Sequence, residues 1–163
     1  MINTMNKLID AENEPIKQYL AGSDEKESIK NHLDRMSNEC IEIPIIIGGK
    51  EIKTGNMGQC IMPHNHKHIL ANFHKAGPDE VDLAIRNLLE TWNNWSNTSI
   101  EKRIDIYRNM ATLLQGPFRD IINASTMLGQ SKNIFQAEID SACELIDFFN
   151  FNSPSIIDQT RLL

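Results

Sequence analysis

The chain contains 163 residues, of which 40% are hydrophobic and 23% are charged. These proportions are typical of one globular domain with a core, and they exclude disordered and fibrous proteins. The formal net charge is −6 and no cluster of Lys and Arg appears, so we expect neither nucleic acid nor a membrane as a partner. The strongest apolar run, Ile43 to Ile47, contains Pro44 and is too short to cross a bilayer.

The amino-terminal residues and the cysteines carry no signal of secretion. The start of the chain lacks the apolar core of a secretory signal and the Arg-rich, acid-poor character of a mitochondrial presequence. Cys40, Cys60 and Cys143 are widely spaced and form no C-x-x-C pair. We therefore expect no disulfide framework, no zinc module and a reducing compartment.

Residues 1–40 are predicted to form a helical lead-in. From Asn13 to Asn38 the pattern indicates two short helices separated at Gly22, with Ser23 or Asp24 capping the second. The apolar residues expected on one side of the second helix are Ile29, Leu33 and Met36.

Residues 41–75 are predicted to form a β-hairpin and short strands. Two β-rich runs flank Gly48 and Gly49, and glycine supplies the positive φ angles of a tight hairpin turn. Two further strands are predicted at Cys60–Met62 and Ile69–Phe73, on either side of a bend in the sequence PHNHKH.

Residues 76–152 are predicted to form about four amphipathic helices. The first begins at Pro78, with acidic residues in its first turn, where the helix dipole favours negative charge. Its apolar stripe comprises Val81, Ala84, Ile85, Leu88, Leu89, Trp92 and Trp95. We interpret the two tryptophans as core residues rather than as a stacking platform.

The other three helices are delimited by caps and by glycine and proline. The second is predicted to begin with a capping box of Thr98 and Glu101 and to end at Gly116–Pro117. Its stripe comprises Ile100, Ile104, Tyr107, Ala111 and Leu114. The third runs from Pro117 to Leu128 and is closed by Gly129. The fourth starts near Asn133, with Gln136 as its capping partner, and is expected to end at Pro154.

Residues 153–163 carry neither a strand pattern nor a turn signal. Helices with such apolar stripes usually pack on a sheet, and the predicted strands are too few to cover four of them. We therefore expect the sequence to be truncated relative to a complete fold.

Few side chains have the spacing of a reactive site. His64, His66 and His68 alternate, but the proline and asparagine among them favour a surface turn over a metal site. The cysteines are interpreted as inert, because Cys143 has acidic neighbours that raise a thiol pKa and the other two adjoin strands. Neither G-x-G-x-x-G nor G-x-x-x-x-G-K is present, so no nucleotide site is assigned.

Glu138 lies in an apolar sector of its predicted helix. At 100° per residue, the shared apolar face comprises Phe135, Ile139, Ala142, Ile146 and Phe149, and the acidic face comprises Asp140, Glu144 and Asp147. Glu138 projects about 60° from Phe135 and falls between Leu145 and Phe149. A carboxylate there is costly unless it is paired. Its partner is either a Lys or Arg elsewhere in the chain or the cation of a ligand.

Several segments resemble the amino-terminal part of the aldehyde dehydrogenase superfamily. The order of the hairpin, the PHNH bend, the helix start GPDEVDLAI, W-x-x-W and MLGQSK is similar to that superfamily. Within it, the segments NEPIKQYLAGS, EIPIIIGGKEI, MPHNHKHILA, QAEIDSACELIDFF and FNFN resemble the 1-pyrroline-5-carboxylate dehydrogenase branch. The likeness covers roughly residues 12–152, and QAEID with LIDFF is its specific part.

The resemblance implies an α/β fold of the aldehyde dehydrogenase type, with residues 76–152 as a helical layer of the NAD-binding domain. It implies NAD-dependent oxidation of L-glutamate γ-semialdehyde to L-glutamate through a cysteine thiohemiacetal, in a homo-oligomer of the mitochondrial matrix or otherwise of the cytoplasm. The family's nucleophilic cysteine, general-base glutamate and cofactor-binding strands belong to later segments, so this chain alone is expected to be inactive. No catalytic, cofactor-binding or metal residue is assigned.

One functional residue is carried over from the resemblance. In this branch the glutamate of QAEID lines the substrate entrance, which makes Glu138 the expected ligand of the substrate α-ammonium group. Asn150 departs from an expected basic residue, and Ser131 replaces the glycine usual in GQGK. The alternatives are a non-catalytic helical interaction or regulatory module derived from such an enzyme, and part of an aldehyde dehydrogenase with another substrate.

Overall fold

The computed structural model describes the backbone of residues 12–161 and the side chains of residues 12–152. The helices are α1 Asp24–Asn38, α2 Pro78–Ser96, α3 Ile100–Gln115, α4 Arg119–Gln130, α5 Ile134–Ala137 and α6 Glu144–Arg161, with a π-helical segment, Glu138–Cys143, joining α5 to α6. The strands are β1 Ile41–Ile43, β2 Ile45–Ile47, β3 Lys50–Ile52, β4 Met57–Ile61 and β5 Ile69–His74. Predictions for residues 1–11 lie outside this description.

The lead-in contains one helix among its described residues, where two were predicted. Residues 12–20 form neither helix nor strand, and Tyr19 and Gly22 have positive φ angles of 49° and 79°. The second predicted helix is confirmed as α1, and the structure packs its predicted apolar side on α4. Ser23 precedes it with extended backbone but makes no side-chain cap bond.

The strand region forms two small sheets. The hairpin is confirmed, because β2 pairs antiparallel with β3 across Gly48 and Gly49, whose φ angles are 59° and 74°. The two further strands are present as the antiparallel pair β4 and β5, but β4 begins at Met57 and ends at Ile61, where Cys60–Met62 was predicted. The β-rich segment before the turn is interrupted at Pro44 and forms two strands. Strand β2 stays in the hairpin, whereas β1 pairs parallel with β5. The larger sheet therefore has the order β1-β5-β4.

Helix α2 has the predicted start and stripe, but none of its residues is buried. Leu88 and Leu89 are each 70% exposed and Trp92 is 63% exposed. The interpretation of the tryptophans as core residues is wrong for the part of the chain that the structure describes. The stripe is instead a continuous exposed apolar surface.

The caps of α3 and α4 differ from those predicted. Ser99, not Thr98, caps α3, and its hydroxyl accepts a bond from the Lys102 backbone N–H. Helix α4 continues past Gly129 to Gln130, and the following Ser131 caps it with a left-handed φ of 57°. The capping box of Asn133 and Gln136 is confirmed.

The last helix runs further than expected and turns differently. Its backbone continues through residue 154 to Arg161, so the expected end at Pro154 is wrong. The π-helical segment has a wider turn than an α-helix and changes the sides that residues face. Phe135 and Ile139, expected on the apolar face, are exposed, whereas Ala137, Glu138 and Cys143 are buried.

Two apolar clusters hold the helices together. The first comprises Tyr19, Ile29 and Ala124, packed against Leu33, Met36, Met127 and Ile134. The second comprises Ala111, Ala142 and Ile146, packed against Leu114, Ile122 and Phe149. Glu138 lies on the helix that joins both clusters. None of the described helices has the length and apolar character needed to cross a membrane.

Candidate functional site: the Glu138 network

Glu138 is the first residue of the π-helical segment and has no exposed surface. The sequence placed this carboxylate in an apolar sector, and the structure encloses it completely. Segments of π-helix are frequent at functional sites because they redirect side chains within a helix. The carboxylate faces α4 and residues 14–19, hereafter the N-terminal strap.

Arg119, the first residue of α4, is the cation that pairs with Glu138. One of its terminal nitrogens lies 2.5 Å from Glu138 Oε1, and its Nε lies 3.2 and 3.3 Å from the two carboxylate oxygens. The guanidinium is itself buried, with 2% of Arg119 exposed. Breaking such a pair by removing one partner costs about 3–5 kcal/mol. The structure thus supplies the structural partner that the sequence had left as one of two possibilities.

Four neutral donors complete the shell of Glu138, and the most distant of them is the Cys143 thiol, 3.9 Å from Oε1. The backbone N–H of Lys17 donates to Oε1 at 2.8 Å. The hydroxyl of Tyr19 and the amide nitrogen of Asn123 both donate to Oε2, each at 2.7 Å. Asn123 Nδ2 also lies 3.2 Å from the Tyr19 hydroxyl. Each carboxylate oxygen therefore has neutral donors in addition to the guanidinium.

The strap is attached to the same guanidinium. Arg119 donates to the carboxylate of Glu14 and, at 2.8 Å, to the carbonyl of Pro15. The backbone N–H of Glu14 donates to Asp147 at 2.7 Å. Two carboxylates thus contact one guanidinium, and this group of three side chains carries one negative charge in excess.

The shifts in pKa follow from burial and from these contacts. Burial alone would raise the pKa of Glu138, but the bonds from Arg119, Lys17 and Tyr19 hold it below its ordinary value. Burial alone would lower the pKa of Arg119, and the bonds to Glu138 and Glu14 raise it. Burial, and then the bond to Glu138, raise the pKa of Tyr19 well above its usual range. The pair therefore stays ionised and the phenol stays a donor.

Cys143 lies at the edge of the network, where its sulfur accepts a bond from Arg119 at 3.5 Å. Burial, and then the charge of Glu138, raise the pKa of its thiol to about 11. Acidic neighbours were expected to raise this pKa, and the direction is confirmed, although burial is the larger cause. A thiol with so high a pKa is a poor nucleophile.

The three alternating histidines do not join the network. They lie in a turn closed by a bond from the Met62 N–H to the His68 carbonyl, and His64 contacts Ser131 at 2.8 Å. Among the side chains that the structure describes, no group of three His, Cys, Asp or Glu could hold a metal ion.

The sequence interpretation identified Glu138 but missed Arg119, Tyr19 and Asn123. One signal was present, because Arg119, Asn123 and the core-packed Met127 follow one another at intervals of four residues and so share one side of α4. Polar residues on the apolar side of a helix require partners. No comparable signal pointed to Tyr19.

The start of helix α2 does not offer a free site for the phosphates of a dinucleotide. Such groups bind at the free N–H groups of a helix start. Helix α2 is preceded by Gly77, but the Gly77 N–H already donates to the Glu80 carboxylate at 2.7 Å. That carboxylate would also repel a phosphate.

Comparison with known proteins places this chain in a family. Residues 51–160 match the aldehyde dehydrogenase family. The chain belongs to that family. The resemblance drawn from its motifs and the aldehyde dehydrogenase-like fold class are both confirmed. Glu138 and Arg119 lie within the matched residues of this aldehyde dehydrogenase chain, whereas the strap precedes them.

The relatives found have one name in common. The chain is 39% identical over 140 residues to the mitochondrial delta-1-pyrroline-5-carboxylate dehydrogenase of Dictyostelium discoideum, covering 86% of the chain and 25% of that relative. The human mitochondrial enzyme of the same name is 36% identical over 146 residues, covering 90% of the chain and 26% of that protein. The resemblance to this branch is therefore confirmed.

Solved structures agree with this aldehyde dehydrogenase assignment. The delta-pyrroline-5-carboxylate dehydrogenase of Mycobacterium tuberculosis, solved with NAD and cobalamin, matches with a TM-score of 0.85 and 34% identity, over 88% of this chain and 27% of that one. The same enzyme has also been solved bound with NAD. The chain spans about a quarter of the length of the relatives that it matches.

Proposed function

We propose that this chain supplies the hairpin and outer helices of an NAD-dependent dehydrogenase that oxidises L-glutamate γ-semialdehyde to L-glutamate in proline degradation. The observation that carries the proposal is the common name of relatives that are 34–39% identical over most of the chain. NAD, the small-molecule substrate and a homo-oligomeric assembly are parts of this proposal. The mitochondrial matrix is proposed as its compartment, because several relatives carry that location in their names.

Glu138 is proposed to bind the α-ammonium group of that substrate. The excess negative charge of the Glu14, Arg119 and Glu138 group supports this role, because it attracts a cation. Glu138 has no exposed surface and its oxygens are occupied by donors. A substrate ammonium group would therefore reach the carboxylate only when the strap moves or a donor yields its position.

The activity is tested with a chimera in which residues 12–152 replace the corresponding segment of the Dictyostelium enzyme. We expect the chimera to reduce NAD with L-glutamate γ-semialdehyde, because the segment supplies the same helical layer. A chimera that folds but does not oxidise this substrate would contradict the proposed function. NAD reduction by the 163-residue chain alone would contradict the expectation that it is inactive.

The role of Glu138 is tested in the same chimera by Glu138→Gln. We expect KM for the amino-bearing substrate to rise about tenfold, the effect of losing a bond to a charged group. KM for a simple aliphatic aldehyde should change little. Glu144→Gln is the matched control, because Glu144 is exposed on the same helix. Equal effects of Glu138→Gln on both aldehydes would count against ammonium binding.

A further inference from the structure

Tyr19 occupies a conformation that needs a physical reason. Its φ angle is 49°, in the left-handed region that bulky residues rarely enter. Its side chain is 4% exposed and packs with Ile29 and Ala124. Strained backbone of this kind persists only where the surrounding structure enforces it, and it is concentrated at functional sites. The conformation brings the phenol hydroxyl to Glu138 Oε2.

The donors to Glu138 divide its two oxygens between them. The closest contact of Arg119 is with Oε1, although the Nε of Arg119 lies almost equally far from both oxygens. Oε1 also accepts a bond from the Lys17 N–H. The closest donors to Oε2 are Tyr19 and Asn123. The guanidinium compensates the charge, and the two neutral donors determine where Oε2 points.

The orientation of Asn123 is fixed by the same chemistry. An ionised carboxylate only accepts hydrogen bonds, so the amide nitrogen of Asn123 must face Glu138. Its amide oxygen is then left buried without a partner among the described residues. Leaving a buried acceptor unpaired is unfavourable. The amide nitrogen nevertheless contacts both Glu138 and the Tyr19 hydroxyl.

We propose that Tyr19 and Asn123 are positioning residues that set the orientation of the Glu138 carboxylate for the substrate ammonium group. The proposal rests on the function proposed above. It makes the strap, which precedes the residues matched to the family, a contributor to substrate selection. Neither residue is proposed to contact the reacting aldehyde.

The test compares Tyr19→Phe with Tyr107→Phe in the chimera. Each removes one phenol hydroxyl and keeps the ring, and Tyr107 packs on Phe149 with ring centroids 5.8 Å apart, away from Glu138. We expect Tyr19→Phe to raise KM for L-glutamate γ-semialdehyde about five- to tenfold, and to leave kcat and KM for an aliphatic aldehyde within about twofold. Tyr107→Phe should leave the ratio of the two KM values unchanged.

The outcomes separate this inference from the proposed function. An inactive but folded parent chimera overturns the proposed function and, with it, this inference. A Glu138→Gln variant without substrate-selective effect overturns ammonium binding and this inference, but not the proposed oxidation of L-glutamate γ-semialdehyde. A selective effect of Glu138→Gln together with equal effects of Tyr19→Phe on both aldehydes overturns the positioning role alone. If Tyr19→Phe fails to fold, Asn123→Ala carries the same expected change in KM. Loss of folding in both variants overturns the proposal, because the pair would then maintain the fold.

Discussion

Replacing Arg119 with methionine would leave the Glu138 carboxylate buried without its cation. Methionine keeps an unbranched chain of similar length, so the main loss is charge and hydrogen bonding. Glu138 would retain the donors Lys17, Tyr19 and Asn123, but the carboxylate of Glu14 and the carbonyl of Pro15 would also lose bonds. The change therefore affects the attachment of the strap as well as the ion pair.

The expected magnitude follows from the complete burial of Glu138. Removing one partner of a buried pair costs about 3–5 kcal/mol of unfolding free energy. Lys132→Met is the matched control, because Lys132 lies 2.6 Å from Asp140 and both side chains are partly exposed, 31% and 42%. An exposed pair contributes about 0.2–1 kcal/mol. Arg119→Met should therefore lower the unfolding free energy severalfold more than Lys132→Met does.

The pH dependence gives a second test, with a defined sign. In the parent chain the pKa of Glu138 is lowered by folding, so its contribution is present above the unfolded pKa of about 4.3 and is lost as the pH falls further. In Arg119→Met, burial without a cation raises this pKa, so protonation favours the folded state. The difference in unfolding free energy between parent and variant should therefore shrink from pH 7 towards pH 4.

The assay is urea unfolding of the chain, followed by far-UV circular dichroism at several pH values. The double variant Arg119→Met with Glu138→Gln should recover part of the loss, because no buried charge then remains unpaired at the Glu138 position. A loss in Arg119→Met as small as that in Lys132→Met would refute the reasoning. A loss of unfolding free energy in Arg119→Met that does not change with pH would also refute it.

Three further predictions concern single sites. Ser131→Gly should raise the melting temperature, because relief of a left-handed φ, about 1 kcal/mol, outweighs the loss of the exposed contact with His64, and a lower value would contradict this. Gly58→Ala should destabilise by about 1–3 kcal/mol, since its Cβ would lie 2.4 Å from a phenylalanine ring, whereas Gly129→Ala meets open space and should be neutral or stabilising in the same melts. Buried Cys143, with its pKa of about 11, should be alkylated far more slowly at pH 8 than exposed Cys40, and equal rates by mass spectrometry would contradict its burial.

The sequence predicted elements well wherever local chemistry decides them. The hairpin at Gly48–Gly49 needed residues that accept positive φ, and the capping box at Asn133 needed a partner three residues on; both are confirmed. The stripe of α2 follows from helical spacing alone and is also present, although none of its residues is buried; the Arg103 guanidinium lies over one of its rings, that of Trp95. Its burial depends on what packs against it, which periodicity does not report.

The predictions failed where contacts distant in sequence decide the structure. Residues 13–21 have a helical pattern, but Lys17 donates its N–H to Glu138 and Tyr19 adopts a positive φ. A regular wheel of 100° per residue also assumes an uninterrupted α-helix. The π-helical segment violates that assumption, which is why Phe135 was assigned to the wrong side.

The sequence located the candidate site through one carboxylate in an apolar sector, that of Glu138. It did not identify the residues that bind this carboxylate. Burial cost indicates that Glu138 has a partner, but not where in the chain that partner lies. Arg119 belongs to another helix and Tyr19 to a segment more than a hundred residues away. The substrate role of Glu138 came from family resemblance and stays a prediction.

The position of the strap at the other end of the chain from its partners sets the order of events during synthesis. Lys17 and Glu138 are 121 residues apart, and ribosomes add about 5–20 residues per second, so about 6–24 s separate their appearance. For most of that interval the strap has no ionic partner, because Arg119 is 105 residues from Glu14, and Tyr19 has no carboxylate to bind until Glu138 is added. Docking of the strap is therefore a late step of folding on the ribosome, and burial of Tyr19 reports its completion.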